Sequence, residues 1–205
     1  YESKKRGRYI IMDNSLHELG KAYDSKRLRY WVNKLEPDEF IVPDVWEDKT
    51  QTLVSAKFWS QIPLPENVKK VAVVQAKSYV EARECYRILH NFHYYRKIAF
   101  SYGASYYNDL FPHPNPLVGK MMGRILVISK LHQEGIIADN DQVHLLGCAL
   151  PQEFSYYSNF PFIKSIDTSN PVIHGLAGVK YEEYGLLEKL PYKVDKFEGD
   201  SENWE

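Results

Sequence analysis

Short apolar runs recur along the chain, and longer stretches with apolar residues at helical spacing separate them. Each run is four or five residues long and leads into a polar or turn-forming residue. Runs of this length, bounded in this way, are typical of strands buried on both faces of a parallel sheet. The pattern predicts six strands, at residues 9–12, 39–42, 70–74, 97–100, 143–146 and 163–166.

Amphipathic segments occupy the gaps between the predicted strands. In Ser25–Leu35 the apolar residues form one helical stripe, with Ser25 as the predicted N-cap and Pro37 beyond the end. Three further segments show the same spacing, at 50–59, 79–89 and 117–132. Regular alternation of strands and helices predicts right-handed βαβ units and therefore a parallel sheet.

We therefore expect an α/β fold of the TIM-type (β/α) barrel class. The main alternative, a doubly wound sheet, usually carries a GxGxxG loop after its first strand, and this sequence has none. A full barrel needs eight strands, so we expect a barrel that is incomplete at the N-terminus, with one strand upstream of residue 1 and another near 190–197. The predicted domain is 1–197, followed by a polar tail at 198–205.

The composition restricts the protein class without defining a function. A formal net charge of −1 and a pI near 6.7 argue against a protein that coats nucleic acid through bulk charge. The cysteines, Cys85 and Cys148, lie far apart, which favours reduced thiols in a cytoplasmic protein and disfavours a zinc site. No apolar run has the length of a membrane span, so we expect no membrane partner. Hydrophobic residues make up 44% of the chain, enough for one core.

Acidic, amide and glycine residues follow the predicted strands. In a parallel barrel these strand ends converge on the face that carries the chemistry. A single Asp at such a position is more often only a helix N-cap, but six strand ends with this composition favour a site. The residues are Asp13, Asp44, Gln75, Gly103, Gly147 and Asp167.

This set of groups suits recognition of a purine and attack at a sugar carbon. Carboxylate and amide groups match the N1–H and exocyclic amine of guanine, and glycines let the backbone approach its O6 edge. A further Asp can bond covalently to the anomeric carbon, as carboxylate nucleophiles do in glycosyl transfer. The residues alone therefore suggest an enzyme that acts on a nucleobase glycosidic bond.

The same motifs, in order, resemble the tRNA-guanine transglycosylases and their DNA-modifying phage and bacterial relatives. The resemblance covers roughly residues 8–175. Ile11-Met12-Asp13-Asn14-Ser15 resembles a strand ending in Asp-Ser-Gly-Gly, and Val73-Val74-Gln75-Ala76 resembles Val-Gln-Gly. The other matching segments are Val42-Pro43-Asp44, Tyr102-Gly103-Ala104, His144-Leu145-Leu146-Gly147 and Ser165-Ile166-Asp167.

The resemblance implies a catalytic role for two carboxylates. Asp167 would attack C1′ of a guanosine, displace guanine and form a covalent glycosyl ester. Asp13 would act as the general acid/base that helps guanine leave and deprotonates the incoming 7-deazaguanine.

The resemblance also implies how the base would be held. Asp44 and Gln75 would bind the base edge, and the backbone at Gly103 and Gly147 would complete the pocket. Leu146 would cover one face of the ring, and His17 would take the place of an aromatic residue on the other face. No cofactor and no metal is implied.

The sequence also departs from the family pattern. Asp13-Asn14-Ser15-Leu16 lacks two glycines, and Ala76 and Ala104 replace two more. The Pro-Thr-Arg segment is replaced by Thr168-Ser169-Asn170-Pro171, and the zinc-binding Cys/His subdomain is missing. These departures favour guanine-containing DNA over tRNA as the substrate, with a 7-deazaguanine as the second substrate.

Other functions stay open at this level. A glycosidase would release the base to water, and a non-catalytic barrel would only bind a nucleobase or nucleotide. The lost glycines favour the binding protein somewhat. A partner protein or a homo-oligomer also stays open as the means of completing the barrel.

Overall fold

Six short strands form one parallel sheet in which each strand pairs with the next along the chain. The computed structural model describes residues 2–180. The strands are β1 (Ile11–Met12), β2 (Glu39–Ile41), β3 (Lys69–Val74), β4 (Lys97–Ser101), β5 (Val143–Leu146) and β6 (Ile163–Ile166). A doubly wound sheet reverses its strand order at a switch point, and this sheet does not. The predicted parallel α/β sheet is confirmed as a curled half-barrel.

The half-barrel is compatible with an incomplete TIM-type barrel, and no complete barrel forms within residues 2–180. The strand predicted near 190–197 and the tail at 198–205 lie outside the described residues. Strand β1 is shorter than the predicted 9–12. The N–H of Ile10, the residue before the strand, does not take part in the strand's backbone pairing, because it donates to a side-chain oxygen of Asp38 at 2.7 Å.

The helices are α1 (Glu2–Lys5), α2 (Leu16–Leu19), α3 (Ser25–Leu35), α4 (Lys49–Ser60), α5 (Tyr79–Asn91), α6 (Tyr106–Leu110), α7 (Pro116–Gln133), α8 (Glu153–Tyr156) and α9 (Asn170–Ala177). Four of them, α3, α4, α5 and α7, lie within one or two residues of the predicted segments, and the sequence did not predict the other five within residues 2–180. The predicted N-cap at Ser25 is wrong: the Asp24 carboxylate accepts from the N–H groups of Lys26 and Arg27. A carboxylate that accepts two amide hydrogens caps a helix better than an adjacent hydroxyl that accepts none.

The two faces of the sheet bury different side chains. Phe40 and Val42 of the β2 segment belong to the large core under the helices, where Phe40 meets Trp59 edge-on at 5.4 Å between ring centroids. Ile41, between them, belongs to a separate small cluster. That cluster contains strand residues alone, so it lies on the concave inner face: Ile41, Val71, Val73 and Ala99, with Ile11 and Leu146 packed against them. Burial of both faces explains the unbroken apolar runs.

None of the helices within residues 2–180 combines the length and apolar character of a membrane-spanning segment.

Close backbone packing joins α6 to α7. Gly123 of α7 lies against the backbone of Tyr107, and a Cβ added at Gly123 would overlap the Tyr107 carbonyl group. Gly119, one turn earlier, lies against the side-chain amide of Asn108. The two glycines let α6 rest directly on α7, beside the segment that follows β4.

A Gly123→Ala substitution should therefore destabilise the protein. The added methyl group must displace backbone, and overpacking of this kind costs about 1–3 kcal/mol. The matched control is Gly175→Ala in α9, where an added Cβ meets nothing within 4 Å; there the gain in helix propensity should stabilise by about 0.5–1 kcal/mol. Urea unfolding of both variants measures the two effects, and equal stabilities would contradict the packing argument.

Candidate active site

A cavity of about 620 Å³ lies at the carboxyl ends of the strands. This volume is within the range of small-molecule sites. The predicted site residues that line it are Asp13, Asp44, Gln75, Gly103, Leu146, Gly147 and Asp167. His17 is in α2, but its side chain lies outside what the structure describes. A smaller cavity of about 340 Å³, lined by Tyr86, His90 and Asp141, lies at the amino ends of β4 and β5, away from these residues.

Asp44 is the centre of a buried hydrogen-bonded group. Asn14 Nδ2 donates to Asp44 Oδ1 at 2.6 Å, and Gln75 Nε2 donates to Asp44 Oδ2 at 2.6 Å. Backbone partners fix both amide orientations. Asn14 Oδ1 accepts from Leu16 N–H at 2.9 Å, and Gln75 Oε1 accepts from Glu47 N–H at 2.9 Å. Each amide must therefore present its NH₂ group to the carboxylate.

The group extends across the loops after β2, β3 and β4. Glu47 adopts a left-handed backbone with φ 51°, and its carboxylate accepts from the Ser105 N–H at 2.6 Å. The Gln75–Glu47 and Glu47–Ser105 bonds thus tie three strand-end loops together. Asn14 and Glu47, which the sequence did not single out, complete the network around the predicted pair of Asp44 and Gln75.

The pKa of Asp44 differs from that of an ordinary aspartate. Burial raises the pKa of Asp44 to about 6, even though the hydrogen bonds from Gln75 and Asn14 favour its ionised form; the negative charge of Asp13 raises it further. Only 2% of the residue is exposed. The carboxyl group therefore changes charge close to neutral pH, unlike an ordinary surface Asp.

Asp167 has a different environment at the end of β6. Its Oδ1 accepts from the Gly147 N–H at 2.9 Å and lies 3.0 Å from His144 Nε2. Burial acts to raise the pKa of Asp167, but the hydrogen bonds from His144 and the Gly147 backbone hold it below its usual value. The side chain is 54% exposed. Asp167 is thus an ionised carboxylate with one oxygen tethered and access to the cavity.

A buried ion pair holds the turn that follows β5. Arg124 Nε donates to Glu153 Oε1 at 2.7 Å, and both side chains are fully buried. The other guanidinium nitrogens donate to main-chain oxygens of β4 and the β5 end: Phe100 O at 3.2 Å, Leu146 O at 3.3 Å and Gly147 O at 2.8 Å. Gly147, at φ 72°, takes the left-handed conformation that favours glycine. The turn aims the Gly147 N–H at Asp167.

Trp46 occupies the space beside Gly103. A Cβ on Gly103 would overlap the indole ring, so glycine is required there for packing of Trp46. The indole lines the cavity and is 40% exposed. The sequence predicts that the Gly103 backbone approaches a base, and Trp46 is the side chain that lies against Gly103. The sequence did not single out Trp46, although it comes two residues after Asp44 at the end of a predicted strand.

Comparison of the sequence with models of known protein families and with curated proteins found no match. Within residues 2–180, no three or more His, Cys, Asp or Glu side chains come together in a way that could hold a metal ion. The cavity residues therefore carry the functional argument.

The titration of Asp44 should be measurable in the stability of the protein. Its folded-state pKa of about 6 exceeds its ordinary value of 3.8, so the folded state binds the proton more tightly than the unfolded chain does. The resulting stabilisation is complete below the unfolded pKa and is lost as pH rises through about 6. This difference in pKa corresponds to a loss of about 2 kcal/mol of stability between pH 4 and pH 7.

Urea unfolding at several pH values, compared between wild type and Asp44→Asn, isolates this contribution. We expect the wild type to lose stability relative to Asp44→Asn as pH rises from 4 to 7. Asp109→Asn, at an exposed position in α6, is the control and should not change the slope. A wild-type slope equal to that of Asp44→Asn would show that Asp44 ionises normally.

Proposed function

We propose that the protein is a guanine transglycosylase that exchanges guanine in nucleic acid for a 7-deazaguanine base through a covalent Asp167 ester. The single observation that carries the proposal is the environment of Asp167. Asp167 is an ionised carboxylate that is half-exposed at a strand end, and it lines the same cavity as the carboxylate of Asp44 and the amide of Gln75. Carboxylates with lowered pKa are suited to nucleophilic attack at an anomeric carbon.

The reaction would proceed in two steps, formation of the Asp167 ester and its displacement by the second base. In the first, an oxygen of Asp167 bonds to C1′ of the nucleotide while the C1′–N9 bond breaks, and its electron pair leaves with guanine. Asp13, which begins this step as a carboxylic acid, gives its proton to the departing base and is left as a carboxylate. In the second, Asp13 takes a proton from the incoming 7-deazaguanine, whose nitrogen attacks C1′ and releases Asp167 as a carboxylate.

Recognition of the base would depend on Asp44. A carboxylate offers about four acceptor positions, and Asn14 and Gln75 use two of them. The remaining positions can accept the N1–H and exocyclic amine hydrogens of guanine. Because Gln75 and Asn14 are held by backbone partners, the Asp44 carboxylate is oriented before any base binds.

Aromatic stacking would hold the ring of the base. Trp46 presents a partly exposed indole to the cavity, and Leu146 contributes an apolar side chain from the end of β5. Planar bases stack on such surfaces whatever their edge groups. Trp46 thus serves as the stacking surface within the described residues, while Asp44 provides the specificity.

A nucleic acid strand also brings phosphate groups. Lys120 of α7 is the cationic side chain that lines the cavity in the described part of the chain, and its Nζ lies 5.8 Å from the Tyr102 ring centroid. A lysine ammonium at this position is suited to a phosphate beside the extruded nucleotide. The proposed polymer is DNA rather than tRNA, because Thr168-Ser169-Asn170-Pro171 lacks the arginine that the tRNA enzymes carry in the corresponding segment.

The test is incorporation of a labelled 7-deazaguanine into guanine-containing DNA, with tRNA in parallel. We expect the wild type to incorporate label into DNA, and Asp167→Ala to lose the rate by roughly a thousand-fold or more, because the nucleophile is gone. Asp109→Ala, at an exposed site, should retain full activity. Without the second substrate, the wild type should form a protein–DNA adduct that survives denaturing electrophoresis.

Other outcomes would identify another function. Release of free guanine without any need for the second base would indicate a glycosidase. Tight base binding with neither incorporation nor release would indicate a non-catalytic binding protein. Retained incorporation by Asp167→Ala would exclude the covalent mechanism.

Base binding should depend on Trp46. Addition of guanine or 7-deazaguanine should quench part of the tryptophan fluorescence in the wild type, and the quenching should disappear in Trp46→Phe. Trp31→Phe is the matched control, since Trp31 packs against Tyr30 in α3 and does not line the cavity. Trp46→Ala should weaken binding about ten-fold or more, the equivalent of 1–3 kcal/mol per stacked base. Unchanged affinity in Trp46→Ala would remove the indole from the proposed site.

A further inference from the structure

A line of polar side chains runs through the inner face of the half-barrel to Asp167. Lys97 Nζ lies 3.3 Å from Ser165 Oγ, and Ser165 Oγ lies 2.9 Å from His144 Nδ1. His144 Nε2 then lies 3.0 Å from Asp167 Oδ1. The side chains come from β4, β6 and β5, and His144 is 1% exposed. Buried polar groups of this kind are retained where every hydrogen bond is made.

Lys97, at the end of the line farthest from Asp167, carries a positive charge. Lys97 Nζ lies 2.7 Å from Glu39 Oε2, and both side chains are almost completely buried. A buried lysine beside a carboxylate is an ammonium group, which has three hydrogens and no lone pair. Ser165 can therefore only accept from Lys97.

The acceptor character of Asp167 determines which nitrogen of His144 carries a hydrogen. An ionised carboxylate can only accept, so the 3.0 Å contact between His144 Nε2 and Asp167 Oδ1 is a hydrogen bond from Nε2–H. Ser165 Oγ, which accepts from Lys97, makes the other hydrogen bond of the ring at Nδ1. The imidazole is therefore held at both nitrogens while Nε2–H donates to Asp167.

The direction of these bonds selects one oxygen of Asp167. Within residues 2–180, both hydrogen bonds that its carboxylate accepts end on Oδ1, one from His144 and one from the Gly147 N–H. Oδ2 is consequently the oxygen available to a substrate in the cavity. A nucleophile whose orientation is fixed before binding avoids the loss of rate that about 1 Å of misplacement causes.

We propose that His144 is the positioning residue of this site: held at Nδ1 by Ser165, it donates from Nε2–H to Asp167 Oδ1 and leaves Oδ2 to attack C1′. The inference rests on the proposed function for the attack itself. His144 touches the nucleophile and not the substrate, so it acts through Asp167. The lowered pKa of Asp167 agrees with donation from His144 and Gly147.

The first test is spectroscopic and needs no turnover. Nitrogen-15 NMR of the imidazole rings should show a hydrogen on Nε2 of His144 at neutral pH, and Ser165→Ala should change the Nδ1 signal. Carbon-13 NMR of the Asp167 carboxyl should show a raised pKa in His144→Leu. An Nδ1–H tautomer of His144, or an Asp167 carboxyl that His144→Leu leaves unchanged, would overturn the inference.

The second test is kinetic. His144→Leu should lower kcat for base incorporation by about a hundred-fold with little change in KM, because binding groups are untouched. His144→Gln keeps an N–H donor and should restore part of the rate. The matched control is His90→Leu: His90 Nε2 also lies 3.0 Å from an Asp, Asp141, but outside the cavity, and its loss should leave kcat unchanged.

The outcomes separate the two proposals. If the wild type incorporates base and His144→Leu is fully active, the guanine exchange stands and the positioning role of His144 is wrong. If the wild type incorporates nothing into DNA or tRNA, the guanine exchange is wrong, and the NMR signals alone decide whether His144 holds Asp167.

Discussion

The buried ion pair of Arg124 and Glu153 is the interaction on which the site depends. Arg124 joins α7 to the last carbonyl groups of β4 and β5, and Glu153 supplies its counter-charge from α8. A buried pair adds little net stability, but loss of one partner leaves an uncompensated charge. The pair therefore acts mainly as a geometric constraint. It sets the turn at Gly147, whose N–H reaches Asp167, and so connects the outer helices to the nucleophile.

The same six strands separate two polar regions of the half-barrel. Glu39 and Lys97 form an ion pair at the amino ends, while the candidate site occupies the carboxyl ends. A small apolar cluster that includes Ile41 and Val73 fills the inner face between them. Beside this cluster, the polar side chains of His144 on β5 and Ser165 on β6 connect the ion pair to the candidate site. The inner face thus carries both a packed apolar cluster and the line of hydrogen bonds from Lys97 to Asp167.

Sequence patterns predicted the regular elements because each pattern reflects local burial. Apolar runs located the six strands, and helical spacing located α3, α4, α5 and α7 to within one or two residues. The helix start was wrong at Ser25, since a hydroxyl and a carboxylate at adjacent positions are hard to rank by pattern alone. At the site, the strand-end rule found Asp13, Asp44 and Asp167 lining one cavity, which follows from the shared direction of parallel strands.

The sequence by itself determined the strand order, the four longest helices, the parallel sheet and the edge at which acidic and amide groups gather. The tertiary structure alone decided which of those groups are charged and what holds them. Asp44 and Asp167 are identical in sequence terms, yet burial raises the pKa of Asp44, while donors from β5 lower that of Asp167. Arg124, His144 and Trp46 owe their roles to contacts across more than twenty residues of chain. Periodicity records which side of an element is buried, whereas hydrogen bonds between distant strands exist only after folding.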